Sequence, residues 1–189
     1  MRVTDKYVFF WQDYFSNWAH VEGGLDIKIK GEVVNVPTSE HIFMIYKAQY
    51  FKDDEAVQKI IECKTPKEAK AVGRAVKNFV AEQWDRVCSH YMTKAVSLRY
   101  HQDSKFANML TDKKYEGKTF VEASPYDKIW GIGMGEKDPD VEDKSKWEGQ
   151  NKLGKCLTNL RNRALAGNVK SSNESLEPNG VSIFHTMWK

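Results

Sequence analysis

The stretch Glu122-Ala-Ser-Pro-Tyr-Asp-Lys-Ile-Trp-Gly-Ile-Gly133 combines polar, aromatic and glycine residues in an order that core packing alone does not call for. Phe120 and Val121 read as the end of a strand, stopped at Ser124-Pro125 because proline lacks a ladder donor and restricts the residue before it. Beyond that stop, Asp127 supplies a carboxylate and Trp130 a planar aromatic face. Gly131 and Gly133 supply a backbone that can turn sharply or come close to a ligand. Trp147-Glu-Gly-Gln-Asn151 then leads through Leu153-Gly154 into a helix. Asn151 is placed to cap that helix, and a helix N-terminus is a seat for an anion or phosphate.

A second set of charges lies earlier in the chain. Glu40 and Lys47 are seven residues apart on a helical pattern. They therefore project from nearly the same face, about 10 Å apart along the axis. That separation suits two charged walls of one small pocket with Phe43 and Met44 between them. It equally suits a helix with its acid in the first turn and its base in the last, each favoured by the helix dipole. Trp84, on the longest helical pattern, fits an ordinary core position as well as a site.

The elements that must position these residues follow from pattern and punctuation. Tyr7–Trp11, aromatic and β-branched, reads as a strand. Ile27 and Ile29, then Val34 and Val36, alternate on either side of Lys30-Gly31 as a hairpin with one dry face. Thr38 or Ser39 caps a helix running from Glu40 to Tyr50, and Asp53 or Asp54 opens a short one reaching Cys63. Thr65-Pro-Lys-Glu68 is a capping box with proline in the first turn, and its helix runs through Val76. Gly73 inside it calls for a packing reason. The longest helix spans Phe79 to about Tyr100, with Val80, Trp84, Val87, Tyr91 and Leu98 down one face and Cys88, Met92 and Ala95 beside them. Ser104–Leu110 adds a short helix, and 135–146 reads as a mobile loop able to close over a site. The last clear helix covers Asn151–Ala166 and stops at Gly167. Residues 168–180 read as a linker, with a short strand at Val181–Phe184.

At 189 residues the chain supports one well-formed core, so a single domain is expected over 1–167 with a C-terminal extension over 168–189. The net charge is +3, with 29 basic residues interspersed among 26 acidic ones, and this gives no case for a strongly basic nucleic-acid groove. Cys63, Cys88 and Cys156 are widely spaced within helical patterns and read as buried thiols in a reducing compartment. With no CxxC spacing and no histidine ligand pattern, no metal is expected. No apolar signal core opens the chain and no run is long enough to span a bilayer, so a cytoplasmic protein without membrane association is expected.

Taken together, Ser39-Glu40-His41 with Lys47, Gly73-Arg74, Trp84-Asp85, Glu122-Ala-Ser-Pro-Tyr-Asp127 with Ile129-Trp130-Gly-Ile-Gly133, Trp147-Glu-Gly-Gln-Asn151 and Arg161 resemble the NADAR (YbiA-like) family over residues 7–166. The resemblance implies a compact, helix-rich α+β fold and N-glycosidase activity without a cofactor. One branch of that family acts on phosphoribosylamino-pyrimidine and uracil intermediates of riboflavin synthesis, and another removes ADP-ribose from guanine bases. By motif position the resemblance implies Glu40, Trp84, Asp127 and Trp130 as active-site residues. It implies Asn17, Lys47, Gly131, Gly133, Gly149 and Asn151 as ligand-binding. The order Glu-Ala-Ser-Pro-Tyr-Asp with Trp-Gly-Ile-Gly is closer to the branch that acts on ADP-ribosylated guanine, which includes modified DNA among its substrates. A non-catalytic sensor of NAD or ADP-ribose is the competing reading. Cleaving a ribosyl C–N bond develops positive charge on the sugar and negative charge on the departing base. Such a site therefore needs a carboxylate near the anomeric carbon and a proton donor near the base. Glu40 and Asp127 are the paired carboxylates, with their two roles not distinguished by sequence.

Overall fold

A computed structural model describes residues 1–169. The strand read at Tyr7 forms β2 (Tyr7–Phe10), and a short strand that the sequence pattern missed, β1 (Arg2–Val3), pairs with it antiparallel. β3 (Leu25–Ile29) and β4 (Glu32–Val36) make the expected hairpin as a separate two-stranded sheet. Five helices follow: α1 (Ser39–Tyr50), α2 (Asp54–Glu62), α3 (Pro66–Arg74), α4 (Ala81–Gln102) and α5 (Ser104–Leu110). β5 (Thr119–Glu122) then returns to lie parallel to β2, and α6 (Lys152–Leu165) packs behind it. Helices around small sheets in one body make this an α+β fold.

The three-stranded sheet separates two unequal cores, as the period-two alternation of strands requires. Val8, Phe10 and Phe120 face the main core against the helices. Phe9 and Val121 face a smaller cluster with Ala123, Ile132 and Val141. This placement corrects the reading of residues 135–146 as a lid. Val141 is fully buried in the smaller cluster, its carbonyl accepts from Trp147 Nε1 at 2.8 Å, and Arg2 pairs with Glu142 at 2.5 Å. The segment is held on the far face of the sheet from the main core.

Local signals explain most helix starts. Thr38 accepts from the His41 amide, Asp53 from Ala56, and Thr65 with Glu68 closes the reciprocal capping box. The glycine at position 73 has its packing reason: a Cβ there would run into Met44, so α3 lies close against α1. In α4 the buried residues are Cys88, Met92, Ala95, Val96, Leu98 and Arg99, so burial centres on the flank read beside the Trp84 face and on Leu98. Val80 is exposed and Trp84 only half-buried, because the start of α4 projects past the core.

The start of α6 differs from its sequence reading. Asn151 does not cap it with its side chain; it sits in the left-handed region at φ +53°. Its amide instead bridges to β5, with Oδ1 accepting from Glu122 N and Nδ2 donating to Phe120 O, both at 3.0 Å. The first backbone amides of α6 are also taken: Asn151, Lys152 and Leu153 donate to Gly131, Ile129 and Trp130 carbonyls. That helix N-terminus is therefore closed by the 129–131 loop and offers no open anion seat. The tail readings at 170–180 and 181–184 lie outside the described residues. Replacing Asn151 by alanine strands a buried N–H and a buried carbonyl. The unfolding free energy is expected to fall by about 2–4 kcal/mol, read from the shift in urea midpoint at constant m-value.

Candidate active site

Glu40 is placed by the capped first turn of α1, where its own amide donates to Asn17 O at 3.0 Å. Asn17 Nδ2 donates back to Glu40 Oε2, so loop and helix hold each other at this point. Both residues are buried, Glu40 at 3% exposure. Burial pushes the Glu40 carboxyl up to about 7 and the nearby Asp127 adds to this, while Lys70, Asn17 and Trp18 favour its charged form.

Asp127 is fixed by its own loop. Its Oδ1 accepts from the amides of Ile129 and Trp130 at 2.9 and 2.8 Å, which fixes the carboxylate and the backbone that carries Trp130. Its Oδ2 lies 3.8 Å from Lys70 Nζ. Gly131 is required here because a Cβ would meet the carbonyls of Asp127 and Glu122 at 2.9 Å, and Gly149 has no room beside Gly131 and Ile132. Gly133 carries φ +68°. The three glycines assigned to ligand binding are thus approached closely by backbone or side chains of the protein itself.

The aromatic residues form one continuous contact. Trp130 meets Phe43 edge-on at 5.0 Å, Phe43 lies 5.4 Å from Trp84, and Trp84 stacks on Tyr91 at 5.6 Å. Phe43, from the middle of α1, therefore links the two tryptophans. Lys47 lies at the other end of this chain. Its Nζ donates to Gly73 O at 2.8 Å and sits 4.1 Å from the Phe79 ring centre. Burial and Arg74 pull its pKa down, while Glu40 pushes it up. One of its donors is thus spent on backbone, and its ammonium is a partly desolvated charge under an aromatic roof.

Two residues with no role in the sequence reading join the set. Lys70, from α3, is the cation common to the site: it faces Asp127, acts on Glu40, and lies 5.5 Å from the centre of the Trp18 ring. Its sequence signal was only that it falls in the turn before Gly73, the point of contact with α1. Glu122 ends β5 on the same strand face as Phe120, the face of the main core. It is 8% exposed, and burial with Asp127 and Glu40 nearby pushes it up to about 8 despite Lys70. The alternation of β5 was the signal for its inward direction. Asn151 backs this group from β5 through its bonded amide, while Glu40, Asp127, Trp130 and Asn17 converge on it. An open groove of about 440 Å³ runs past Trp18 along Asp13, Ser16 and His20. The exposed Tyr126 packs 5.9 Å from Trp11 beside the same loops.

Three inward carboxyls, one shared ammonium and flanking indoles form a site suited to stabilising a cationic sugar and moving protons, the work of a glycosidase-type hydrolase. Comparison with known proteins agrees. The NADAR domain profile matches residues 9–165. An N-glycosidase of Acanthamoeba polyphaga mimivirus is 35% identical over 84% of this chain and 96% of its own length. An N-glycosidase of Nostoc punctiforme is 30% identical over 66% of this chain and 71% of its own. The NMR structure of the E. coli protein YbiA superposes with a TM-score of 0.63 at 25% identity, covering 90% of this chain and 91% of that one. The chain is an enzyme of the glycosidase class of hydrolases. It belongs to the NADAR family. Among the described residues no helix is long and apolar enough to cross a membrane.

The raised carboxyl pKa values carry a stability consequence. A buried Glu whose folded pKa exceeds its unfolded value binds more protons folded than unfolded between the two, so stability falls as pH rises through that window. For Glu40 the window runs from 4.5 to about 7. Glu40→Gln is therefore expected to melt close to wild type at pH 4 and several degrees higher at pH 8, measured by differential scanning calorimetry at both pH values.

Proposed function

We propose that this protein hydrolyses the C–N bond between ADP-ribose and a guanine base. The observation that carries the reading is the buried Glu40 carboxylate, clamped by Asn17 and placed in one electrostatic group with Asp127 and Lys70. A negative charge fixed there before substrate arrives stabilises the oxocarbenium-like sugar of the transition state without reorganisation. Asp127, whose Oδ1 is already committed to two amides, serves as a charge-holding and ribose-orienting carboxylate. Glu40, poised near neutrality, serves as the base that takes a proton from the attacking water. Trp130, in edge contact with Phe43, and Trp84 give apolar faces for a planar base and keep water from the developing charge.

Two features support a large substrate over a small free metabolite. Trp18, 39% exposed, and Tyr126, 85% exposed, stand at the edge of the site rather than closing it. A groove of about 440 Å³ also runs past Trp18 along Asp13, Ser16 and His20. A modified guanine in DNA would reach such a site as an extruded or single-stranded base. Two relatives named N-glycosidases support the reaction class. Phosphoribosylamino-pyrimidine intermediates are the alternative substrate, using the same chemistry on a smaller molecule.

The test is incubation of the purified protein with guanine-ADP-ribosylated single-stranded DNA and, separately, with the phosphoribosylamino-pyrimidine. Free ADP-ribose and ribose phosphate are followed by mass spectrometry. Release of ADP-ribose is expected, and Glu40→Gln should lower its rate by roughly 10²–10⁴-fold with the fold intact by circular dichroism. Cleavage of the pyrimidine alone transfers the function to the metabolite branch. Undiminished turnover by folded Glu40→Gln removes Glu40 from the mechanism.

A further inference from the structure

We propose that Glu122 is the catalytic acid of this site, the group that delivers a proton to the departing base. The inference rests on the glycosidase reading above and deepens it. It starts from hydrogen-bond roles. Of the three inward carboxyls, Asp127 accepts two backbone amides and faces the Lys70 ammonium, and Glu40 accepts from Asn17. Donors aimed at a carboxylate favour its ionised form, so both are acceptors. Glu122 differs. Its Oε2 is buried with no hydrogen-bond partner among the described residues.

An ionised oxygen in that position would be desolvated and uncompensated, so the carboxyl keeps its proton. The groups acting on it are Asp127 from the loop, Lys70 from α3 and Glu40 from α1, two anions against one cation. Its raised pKa of about 8 agrees with this placement. Among the described residues Oε2 has no partner, so the carboxyl proton is not spent on an internal hydrogen bond there, and the residue's remaining 8% exposure is its access to a ligand. The backbone below it is immobilised. Glu122 N donates to Asn151 Oδ1, Glu122 O accepts from Ile132 N, and the residue pairs with Phe10 in the parallel ladder. A proton donor held on a strand end by three elements has the rigidity that proton transfer at a fixed point requires.

The step balances with water alone. The C1–N bond breaks with its electron pair going to the base nitrogen, which takes the Glu122 proton. Water adds its oxygen to C1 and gives a proton to Glu40. The proton then returns from Glu40 to Glu122 through solvent, leaving free base, the sugar hydroxyl and the enzyme in its starting state. Glu40 and Glu122 thereby exchange one proton per turnover.

Leaving-group dependence distinguishes this role from a structural one. Glu122→Gln keeps the size and polarity of the side chain but cannot donate an acidic proton. On ADP-ribosylated guanine its kcat is expected to fall by about 10²-fold or more, whereas on ADP-ribose carried by 4-nitrophenol, which departs without protonation, the fall should be less than about 5-fold. An equal fall on both substrates, or none on either, overturns the assignment. A wild-type protein that releases neither base nor nitrophenol instead removes the ADP-ribosyl-guanine reading on which the assignment rests. The protonation state is tested apart from turnover by carboxyl 13C NMR, with the Glu122 resonance identified by its loss in Glu122→Gln. A resonance still protonated at pH 7 is expected, and one ionised at pH 7 overturns the proposal.

Discussion

The crowding of Glu40, Glu122 and Asp127 around the Lys70 ammonium is the constraint on which the site depends. Glu40 and Glu122 are buried beside a third carboxylate, and Lys70 is the cation that acts on both, so burial and like charge push both toward their protonated forms. The hydrogen bonds set the three apart. Among the described residues, backbone amides and Lys70 fall to Asp127, Asn17 to Glu40, and nothing to Glu122 Oε2. A carboxylate, a poised base and a neutral acid are thus produced from chemically similar side chains by their surroundings. Stability is the cost, since buried carboxyls with raised pKa oppose folding as the pH rises.

Much of the fold exists to keep that crowding in place. Gly73 lets α3 lie against α1 at Met44, which brings Lys70 to the site. Asn151 ties α6 to β5 and so fixes Glu122, while the amides at the start of α6 fasten the 129–131 loop that carries Trp130. Phe43 couples the loop to α4 by touching both Trp130 and Trp84. The members come from the Asn17 loop, α1, α3, β5 and the Asp127 loop. A site assembled from so many segments requires the whole domain to fold first.

Local chemistry was legible in the sequence, and long-range partnership was not. The capping box at Thr65 and Glu68, the Thr38 cap and the dry face of the hairpin each depend on neighbours within a few residues, and each formed as read. The resemblance to the NADAR family named Glu40, Asp127 and Trp130, which the structure brings together with Asn17. Asn151 looked like a cap because Asn before a helix usually is one; its actual partners on β5 are about thirty residues away in sequence. Residues 135–146 looked mobile because their composition is polar, yet buried Val141, its carbonyl's bond from Trp147 and the Arg2–Glu142 pair hold them on the sheet. Lys70 lay in no motif, and Glu122 opened the Glu-Ala-Ser-Pro-Tyr-Asp motif without being given a role, since a lysine on an amphipathic helix and a glutamate at a strand end are ordinary until packing shows what they face.

The pH dependence of kcat/KM for ADP-ribose release from modified guanine tests the shared-charge account most directly, with wild type and Lys70→Met measured side by side. A base near 7 and an acid near 8 give a bell with its maximum between those values, and loss of the ammonium moves both flanks upward. A profile flat from pH 5 to 9, or flanks that stay put when Lys70 is replaced, would contradict it.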